Sequence, residues 1–366
     1  MNPKPKTNRP ATLNKDRSQR STGSDDPSPT KAKATRRKRP SGRERTISLG
    51  ANSSSAVAAA AFLHSPDAIK DVTIKLPGGA VEITNLDKVF WPENGYLKAD
   101  LLRYYLEVAD VIIKYLKDRP AILARYPNGM ADQGFFQQNI KDAPGILKTV
   151  RLENQVGRFL NYAVYTSVAS LIYLVNLGTI AQNPWHSRLS NLDRPDYVVL
   201  DLDPHGAPFH HVLKVALVIR DVLGELGLTG YPKSSGSSGI HVYVPLNRRY
   251  EYEEVARFAE QVATKVARRS PDIATVERRI SARKPGQVYV DPQQNARGKS
   301  AASVYSVRAK PGATVSAPVT WAEVSDGFEI ADFTIATVPK RIKEKGDIWA
   351  AMLKDRQTLP KLTGQR

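Results

Sequence analysis

The sequence predicts an α+β domain built on a largely antiparallel mixed sheet flanked by helices, preceded by a disordered basic tail. Three observations lead there. Strand-like and helix-like stretches alternate without the strict strand–helix order of a parallel sheet. Two early β-rich runs flank Pro77-Gly78-Gly79, a hairpin signal. Residues 1–70 have a different composition from the rest, with almost nothing apolar that could form a core.

The tail comes first. From Met1 to Arg45 there are 14 Lys or Arg against 4 Asp or Glu, so more than half of the formal net charge of +18 sits in about an eighth of the chain. Such a charge favours a polyanionic partner through phosphate contacts and counterion release. The run Arg36-Arg37-Lys38-Arg39 reads as a nucleic-acid contact, with a solvated solubility tail as the plainer alternative. Ala56 to Ala61 reads as a helical turn or linker.

Residues 71–360 read as one folded domain, for which 366 residues with 41% hydrophobic content leave ample core. Val72–Leu76 and Ala80–Thr84 form the hairpin arms. Apolar positions at helical spacing predict a helix over Lys98–Lys117, closing before Arg119-Pro120. A short strand over Ala121–Tyr126, an extended Arg158–Ser167 and a helix Val168–Leu177 ended by Gly178 follow. Strands are expected at Tyr197–Leu202, Ile240–Leu246, Gln287–Asp291 and Val304–Arg308. Helices are expected from Phe209 to Gly227, Tyr252 to Arg269 and Ile342 to Leu353. No internal repeat is visible. The longest apolar runs fall short of the roughly 20 residues of a membrane span, and the N-terminus lacks a signal peptide's apolar core. The chain has no cysteine, which excludes disulfides, zinc ribbons, iron–sulfur sites and thiol catalysis; any metal must be held by oxygen or histidine. A reducing cytoplasm fits this composition.

The strongest chemical signal is Asp201-Leu202-Asp203-Pro204 at the end of an apolar strand. Residues two apart on a strand share a face, about 7 Å apart along the chain. Two carboxylates projecting together repel unless a cation bridges them, and oxygen ligands suit Mg²⁺ or Mn²⁺. A strand ending in an Asp-Pro turn with both acids in solvent explains the motif equally well, and glycosyltransferases and nucleases also use it. Lys233-Ser234-Ser235-Gly236-Ser237-Ser238-Gly239-Ile240-His241 is the second signal. Small residues let backbone N–H groups approach a phosphate, and His241 at the strand's start can donate to a phosphate oxygen. It is not a P-loop, and a flexible Ser/Gly loop is the plainer reading. The third is Asp291-Pro292-Gln293-Gln294-Asn295, followed by Arg297 and Lys299. It offers a third carboxylate, and Arg297, Lys299 and Arg308 offer charge for a triphosphate; turn chemistry alone also explains it.

Together these segments resemble the polymerase module of bacterial DNA ligase D, within the archaeo-eukaryotic primase superfamily. The likeness runs from about Glu82 to Val324. Its earlier segments are Thr84-Asn85-Leu86-Asp87-Lys88-Val89-Phe90-Trp91-Pro92, Gly95-Tyr96-Leu97-Lys98, Arg125-Tyr126-Pro127-Asn128-Gly129, Phe135-Phe136-Gln137 and Asn183-Pro184-Trp185. After the three segments above come Tyr305-Ser306-Val307-Arg308 and Pro318 to Trp321.

The resemblance implies a primase-like catalytic core in which Asp201, Asp203 and Asp291 bind Mn²⁺ or Mg²⁺. Ser235, His241 and Arg308 would hold an incoming NTP or dNTP, with Asn183 and Ser238 nearby. Asn85, Lys88 and Lys98 would hold the 5′-phosphate of a downstream strand, and Arg125, Phe135 and Phe136 would contact DNA, the aromatics by stacking. Without the resemblance, the lysines are surface lysines and the phenylalanines core. Many family members carry histidine at Asn183 and lysine at Ser238, which puts nucleotide affinity in question; His186 is a candidate replacement. The implied function is template-guided extension at double-strand-break ends or gaps bearing a 5′-phosphate, with ribonucleotides preferred. Implied partners are a bacterial Ku and a separate ATP-dependent ligase in the nucleoid, since no Lys-x-Asp-Gly ligase motif or phosphoesterase segment is present. A primer-independent primase, a catalytically weakened end-binding module and a metal-dependent nuclease are the rival readings.

Overall fold

The computed structural model describes residues 71–154 and 156–361, together with the strand Thr46–Ile47. That strand, β1 (Thr46–Ile47), runs parallel to β2 (Val72–Leu76), which pairs antiparallel with β3 (Gly79–Ile83). Gly78 and Gly79 take φ of 99° and 140° at the hairpin turn, a backbone that glycine adopts without a Cβ penalty. The rest of the expected tail, with Arg36–Arg39 and Ala56–Ala61, lies outside the described residues.

A small hairpin of β4 (Val89–Trp91) and β5 (Tyr96–Leu97) leads into α1 (Lys98–Glu107) and α2 (Ala109–Leu116). The single helix expected over Lys98–Lys117 is therefore two. Val108 leaves helical geometry at φ −99°, ψ 4°, and its carbonyl accepts the amides of both Val111 and Ile112 to restart the helix. Just before the break, the buried Tyr104 and Tyr105 send their hydroxyls to the carbonyls of Tyr305 and Ile180. Tertiary anchoring overrides the continuous apolar period here.

The strands that follow divide into two five-stranded sheets rather than one. The first contains β6 (Pro120–Arg125), β7 (Phe135–Gln137), β8 (Lys148–Glu153), β9 (Phe159–Val164) and β10 (Thr179–Pro184). Its order is β10-β6-β9-β8, with β7 also on β6, and every pair is antiparallel. Helix α3 (Val168–Asn176), capped by Ser167 and closed by Gly178 at φ 83°, separates β9 from β10.

The second sheet has the order β12-β13-β11-β15-β14, from β11 (Tyr197–Asp203), β12 (Tyr231–Ser234), β13 (Ile240–Pro245), β14 (Ala274–Thr275) and β15 (Val288–Asp291). Only β14–β15 is parallel within it. The helices α4 (Phe209–Glu225) and α5 (Tyr252–Arg269) pack on this sheet and on each other. Val198, Leu200 and Leu202 are wholly buried; each is worth about 1.5–3 kcal/mol of apolar burial. They alternate with Asp201 and Asp203, which therefore face the other way.

The last segment ties the two sheets together. β16 (Ser306–Val307) pairs with β17 (Val315–Ser316). The Ser306 hydroxyl accepts the Gln182 amide of β10, and the Ala317 carbonyl accepts the Ser234 amide of β12. The strand expected over Val304–Arg308 is only two residues long because buried Tyr305 turns left-handed at φ 65°. After α6 (Trp321–Asp326), the last helix, α7 (Val338–Lys345), starts earlier than expected and stops at Gly346, φ 69°, leaving Ala350–Leu353 as a separate short turn.

Candidate active site

Strand register builds the centre of the site. Asp201 on β11 stands opposite His241 of β13 on one side and opposite Asp291 of β15 on the other. Lys233 of β12 stands opposite His241 in turn, so Lys233, His241, Asp201 and Asp291 form one row across four strands. The contacts follow the row. Lys233 Nζ lies 3.0 Å from His241 Nδ1, and His241 Nε2 lies 3.3 Å from Asp201 Oδ1. Gln294 Nε2 approaches the other Asp201 oxygen at 3.4 Å.

The two central carboxylates differ electrically. Burial alone would raise Asp201, but the neighbouring His241, with Lys233 and Arg308 behind it, holds it below the ordinary carboxylate range. Burial pushes Asp291 up, and the Asp201 charge adds to the push. Its Oδ1 accepts the Gln293 amide at 2.7 Å and the Tyr289 hydroxyl at 3.2 Å, which oppose the rise. A raised carboxylate beside another carboxylate is a site that gains from a cation. Asp203, two residues along β11, is opposite Tyr289. Its side chain is half exposed and 3.9 Å from Arg283, whose guanidinium stacks on the Tyr289 ring at 4.3 Å. Among the described residues, no three His, Asp or Glu side chains are gathered tightly enough, as they stand, to enclose a metal ion. The donors are nonetheless of the right chemistry for a hard cation, being carboxylate oxygens with one member already destabilised as an anion.

The Ser/Gly loop between β12 and β13 is an ordered nest. The backbone amides of Ser237, Ser238 and Gly239 converge on Ser235 Oγ at 3.1, 3.2 and 3.0 Å. Three amides on one oxygen are the donor set an anionic oxygen takes. Ser238 itself is exposed at the loop's tip. Arg308 Nη1 donates to the Ser235 carbonyl at 2.6 Å, and the Thr314 hydroxyl to the Gly236 carbonyl at 2.6 Å. A Cβ on Gly239 would stand 1.9 Å from the Leu202 carbonyl oxygen, between the two aspartates of β11. The missing side chain lets the nest lie directly against the aspartate strand.

Asn295 braces the same strand. Its buried amide donates to the Val199 carbonyl at 2.7 Å and accepts the Val199 amide at 2.8 Å, extending the ladder past the end of β15 by a side chain. The cations expected for a triphosphate separate. Arg308 lies against the nest, Lys299 is exposed on the Asp291 side, and Arg297 is paired with Asp193 at 2.7 Å. Asn183 is half-buried on β10 opposite Ile122. His186 is 1% exposed and packed edge-on against Tyr197; burial, then Arg119, lowers it to about 3. It is a neutral core ring and supplies no charge in place of Asn183.

A second cluster forms at the turn before α1. The Lys98 amide donates to the Lys88 carbonyl at 2.8 Å, and the Lys88 amide to that of Asn85 at 3.2 Å, bringing the three expected residues together. Lys98 is 4% exposed, its Nζ donating to the Thr84 carbonyl and Asn176 Oδ1 at 2.6 and 2.7 Å. Lys88 Nζ donates to the Pro127 carbonyl at 2.8 Å and to Asn128 Oδ1. Burial, then the Lys88 charge, lowers Lys98 to about 8, against the pull of Asp71. On β7, Phe135 and Phe136 are 49% and 75% exposed, so they are not core. Arg125, opposite Phe135, sits 5.5 Å from that ring and spends its N–H groups on the Leu177 carbonyl and Gln137.

Residues 97–349 match the family described as LigD, primase-polymerase domain. The chain belongs to that family. It is 34% identical over 270 residues to the bifunctional non-homologous end joining protein LigD of Bacillus subtilis, and 32% identical over 290 residues to the multifunctional LigD of Pseudomonas aeruginosa. These alignments cover 73% and 76% of this chain but only 43% and 34% of the relatives, so the chain spans less than half their length. Among solved structures, the polymerase domain of Mycobacterium tuberculosis ligase D in complex with DNA superposes with a TM-score of 0.70 at 29% identity, covering 76% of this chain and 99% of that one. The α+β reading holds, and the chain is a nucleotidyltransferase of primase-polymerase type. Among the described residues, no helix is long and apolar enough to cross a membrane.

For a LigD primase-polymerase, the sequence reading passed over four residues. Lys233, Arg283, Tyr289 and Gln294 all touch the carboxylate row or its neighbours. Lys233 lies on β12, a strand the sequence did not predict, and it is this strand that sets residue 233 opposite residue 241.

Proposed function

We propose that this LigD-type chain is a metal-dependent, template-guided polymerase that fills gaps and extends DNA ends during end joining, using Mn²⁺ or Mg²⁺ and an NTP or dNTP. The observation that carries this reading is the register placing His241, Asp201 and Asp291 side by side, with the amide nest against the same strand. Asp201, Asp203 and Asp291 would hold the metal ions, which when bound supply charge for the attacking primer hydroxyl and the leaving pyrophosphate. The side chains do the rest. The nest at Ser235–Gly239, with Arg308 behind it, cradles phosphate oxygens, and His241 adds an N–H donor. Asn183 and the exposed Ser238 would contribute hydrogen bonds but no charge.

Asn85, Lys88 and Lys98 form the pocket for the 5′-phosphate of the downstream strand. The lowering of Lys98 beside Lys88 fits two ammonium groups that would be relieved by a bound dianion. Phe136 and Phe135 stack on a base or sugar, with Arg125 bracing Phe135. The relative solved with DNA makes a DNA substrate the natural choice. A bacterial Ku and a separate ligase would complete the joining.

The test is extension of a primer on a gapped duplex with Mn²⁺, comparing ribonucleotides with deoxyribonucleotides, with and without a primer. Primer-dependent addition opposite the template is expected. Robust synthesis without a primer would favour a primase, and absence of addition with intact end binding would favour a weakened binding module.

A further inference from the structure

Lys233 is the most deeply buried amine in the second sheet, at 0% exposure, and its direct contact is with His241 rather than with Asp201. Its Nζ has two polar neighbours: Ser316 Oγ at 2.5 Å and His241 Nδ1 at 3.0 Å. The Ser316 hydroxyl proton is already committed to the Ser234 carbonyl at 2.8 Å, so its oxygen must accept from Lys233. The amine also lies 5.7 Å from the Tyr243 ring centre. At Nδ1 the roles of donor and acceptor follow from the tautomer of the ring. A neutral imidazole whose Nδ1 accepts carries its proton on Nε2. Nε2 faces Asp201 Oδ1 at 3.3 Å, where a carboxylate can only accept. The Asp201 contact therefore places the proton on Nε2, and in that tautomer Nδ1 accepts from the Lys233 amine.

We propose that Lys233 is a positioning residue that occupies Nδ1 of His241 and so presents an Nε2–H donor to the nucleotide side of the site. The inference rests on the reading of His241 as a nucleotide-holding group. A His ligand that must donate to phosphate is useful in one tautomer only, and the second partner of the ring is what selects it. Ser316 anchors the amine from β17, so the segment that carries Arg308 also sets the histidine's orientation.

The test is a long-range proton–nitrogen NMR spectrum of the full chain labelled at histidine nitrogen, without added metal, with His241 assigned by its loss in His241→Gln. The expected wild-type pattern is a protonated Nε2 and an unprotonated Nδ1. Lys233→Met, which keeps the length and apolar stem but removes the donor, should move Nδ1 toward its protonated range. It should also raise the nucleotide KM by about tenfold, the loss of one charge-assisted contact, with a smaller change in kcat. A wild-type spectrum with the proton on Nδ1 overturns the proposal whether or not the variant folds. So does a folded Lys233→Met protein with unchanged Nδ1 signal and KM. Nucleotide KM in His241→Gln tests the underlying role separately: if it is unchanged while the wild-type tautomer is as expected, the nucleotide-holding reading fails and the lysine contact stands.

Discussion

Asp201 takes its surroundings from strand register, whereas Lys98 takes its from a turn and the start of a helix. On β11 the row through the carboxylate is fixed by pairing: His241 on one side, Asp291 on the other, Lys233 one strand further. At the turn, Lys98 and Lys88 are joined by a backbone hydrogen bond, but their ammonium groups rest on carbonyl and amide oxygens that water could replace. The electrostatics differ in the same way. Asp201 is held below the ordinary carboxylate range by the His241 contact, with Lys233 and Arg308 behind it, while Lys98 is pushed toward its neutral form by burial and a like charge. A register-built site has its neighbours fixed before substrate arrives. The turn-built site is strained in charge until an anion comes.

This contrast can be broken most forcefully at Asp201. Asp201→Asn keeps shape but removes the charge at the middle of the row, and primer extension should fall by on the order of 10³-fold or more. Gapped-DNA affinity, followed by fluorescence anisotropy, should change less than about threefold, because the lysine turn is untouched; a parallel loss of binding would mean the two sites are not separate. Lys88→Ala with Lys98→Ala is the reciprocal experiment. Each contact to a 5′-phosphate is worth about 1.5–3 kcal/mol, so preference for a phosphorylated gap should drop by about tenfold or more per lysine, with little change on a 5′-hydroxyl gap. Equal losses on both gaps would leave these lysines as ordinary basic surface.

Gly239→Ala tests how closely nest and strand are fitted. The added methyl must displace the Leu202 carbonyl, costing about 1–3 kcal/mol in thermal or denaturant unfolding and raising nucleotide KM. A stable, fully active variant would show that the loop has slack. Phe136→Ala should weaken gapped-DNA binding by at least about fivefold, the low end of one base stack, yet leave the melting temperature unchanged, since the ring is 75% exposed.

The smallest effect is in pH. Lys98 is lowered to about 8, so it is charged below that pH and neutral above it in the free protein. Phosphate binds the charged form and favours proton uptake. Preference for a 5′-phosphate should therefore be full near pH 7 and decline as pH rises through about 8 and beyond. A preference flat to pH 10 would place the lysine's titration elsewhere.

The legibility of these regions followed their construction. Asp201 and Asp203 were readable as a same-face pair because strand alternation is a local rule. That Asp291 would stand beside Asp201 was not readable from local pattern, since register between β11 and β15 pairs residues 90 positions apart; resemblance supplied it. Lys233 heads the Ser/Gly segment, but local pattern predicts no strand over Tyr231–Ser234, so its pairing with His241 emerges only in the sheet. Element bounds departed from expectation where tertiary demands won, at the helix break at Val108 and in the strand shortened by the left-handed backbone of Tyr305. His186, read as a stand-in for missing charge, is a neutral ring in the core, a matter of burial that spacing from Asn183 did not reveal.

The amide of Asn295 ties the loop after Asp291 to the backbone of Val199 by two hydrogen bonds. Because that loop continues directly from β15, which carries Asp291, while β11 carries Asp201 and Asp203, neither strand can open by itself without breaking the clamp. The site should therefore melt as one cooperative unit rather than fray from the Asp291 side. Val199 would then exchange its amide hydrogen at nearly the rate of global unfolding, and Asn295→Ala would make that opening local, so that one mutation far from any phosphate sets how long the three carboxylates remain assembled.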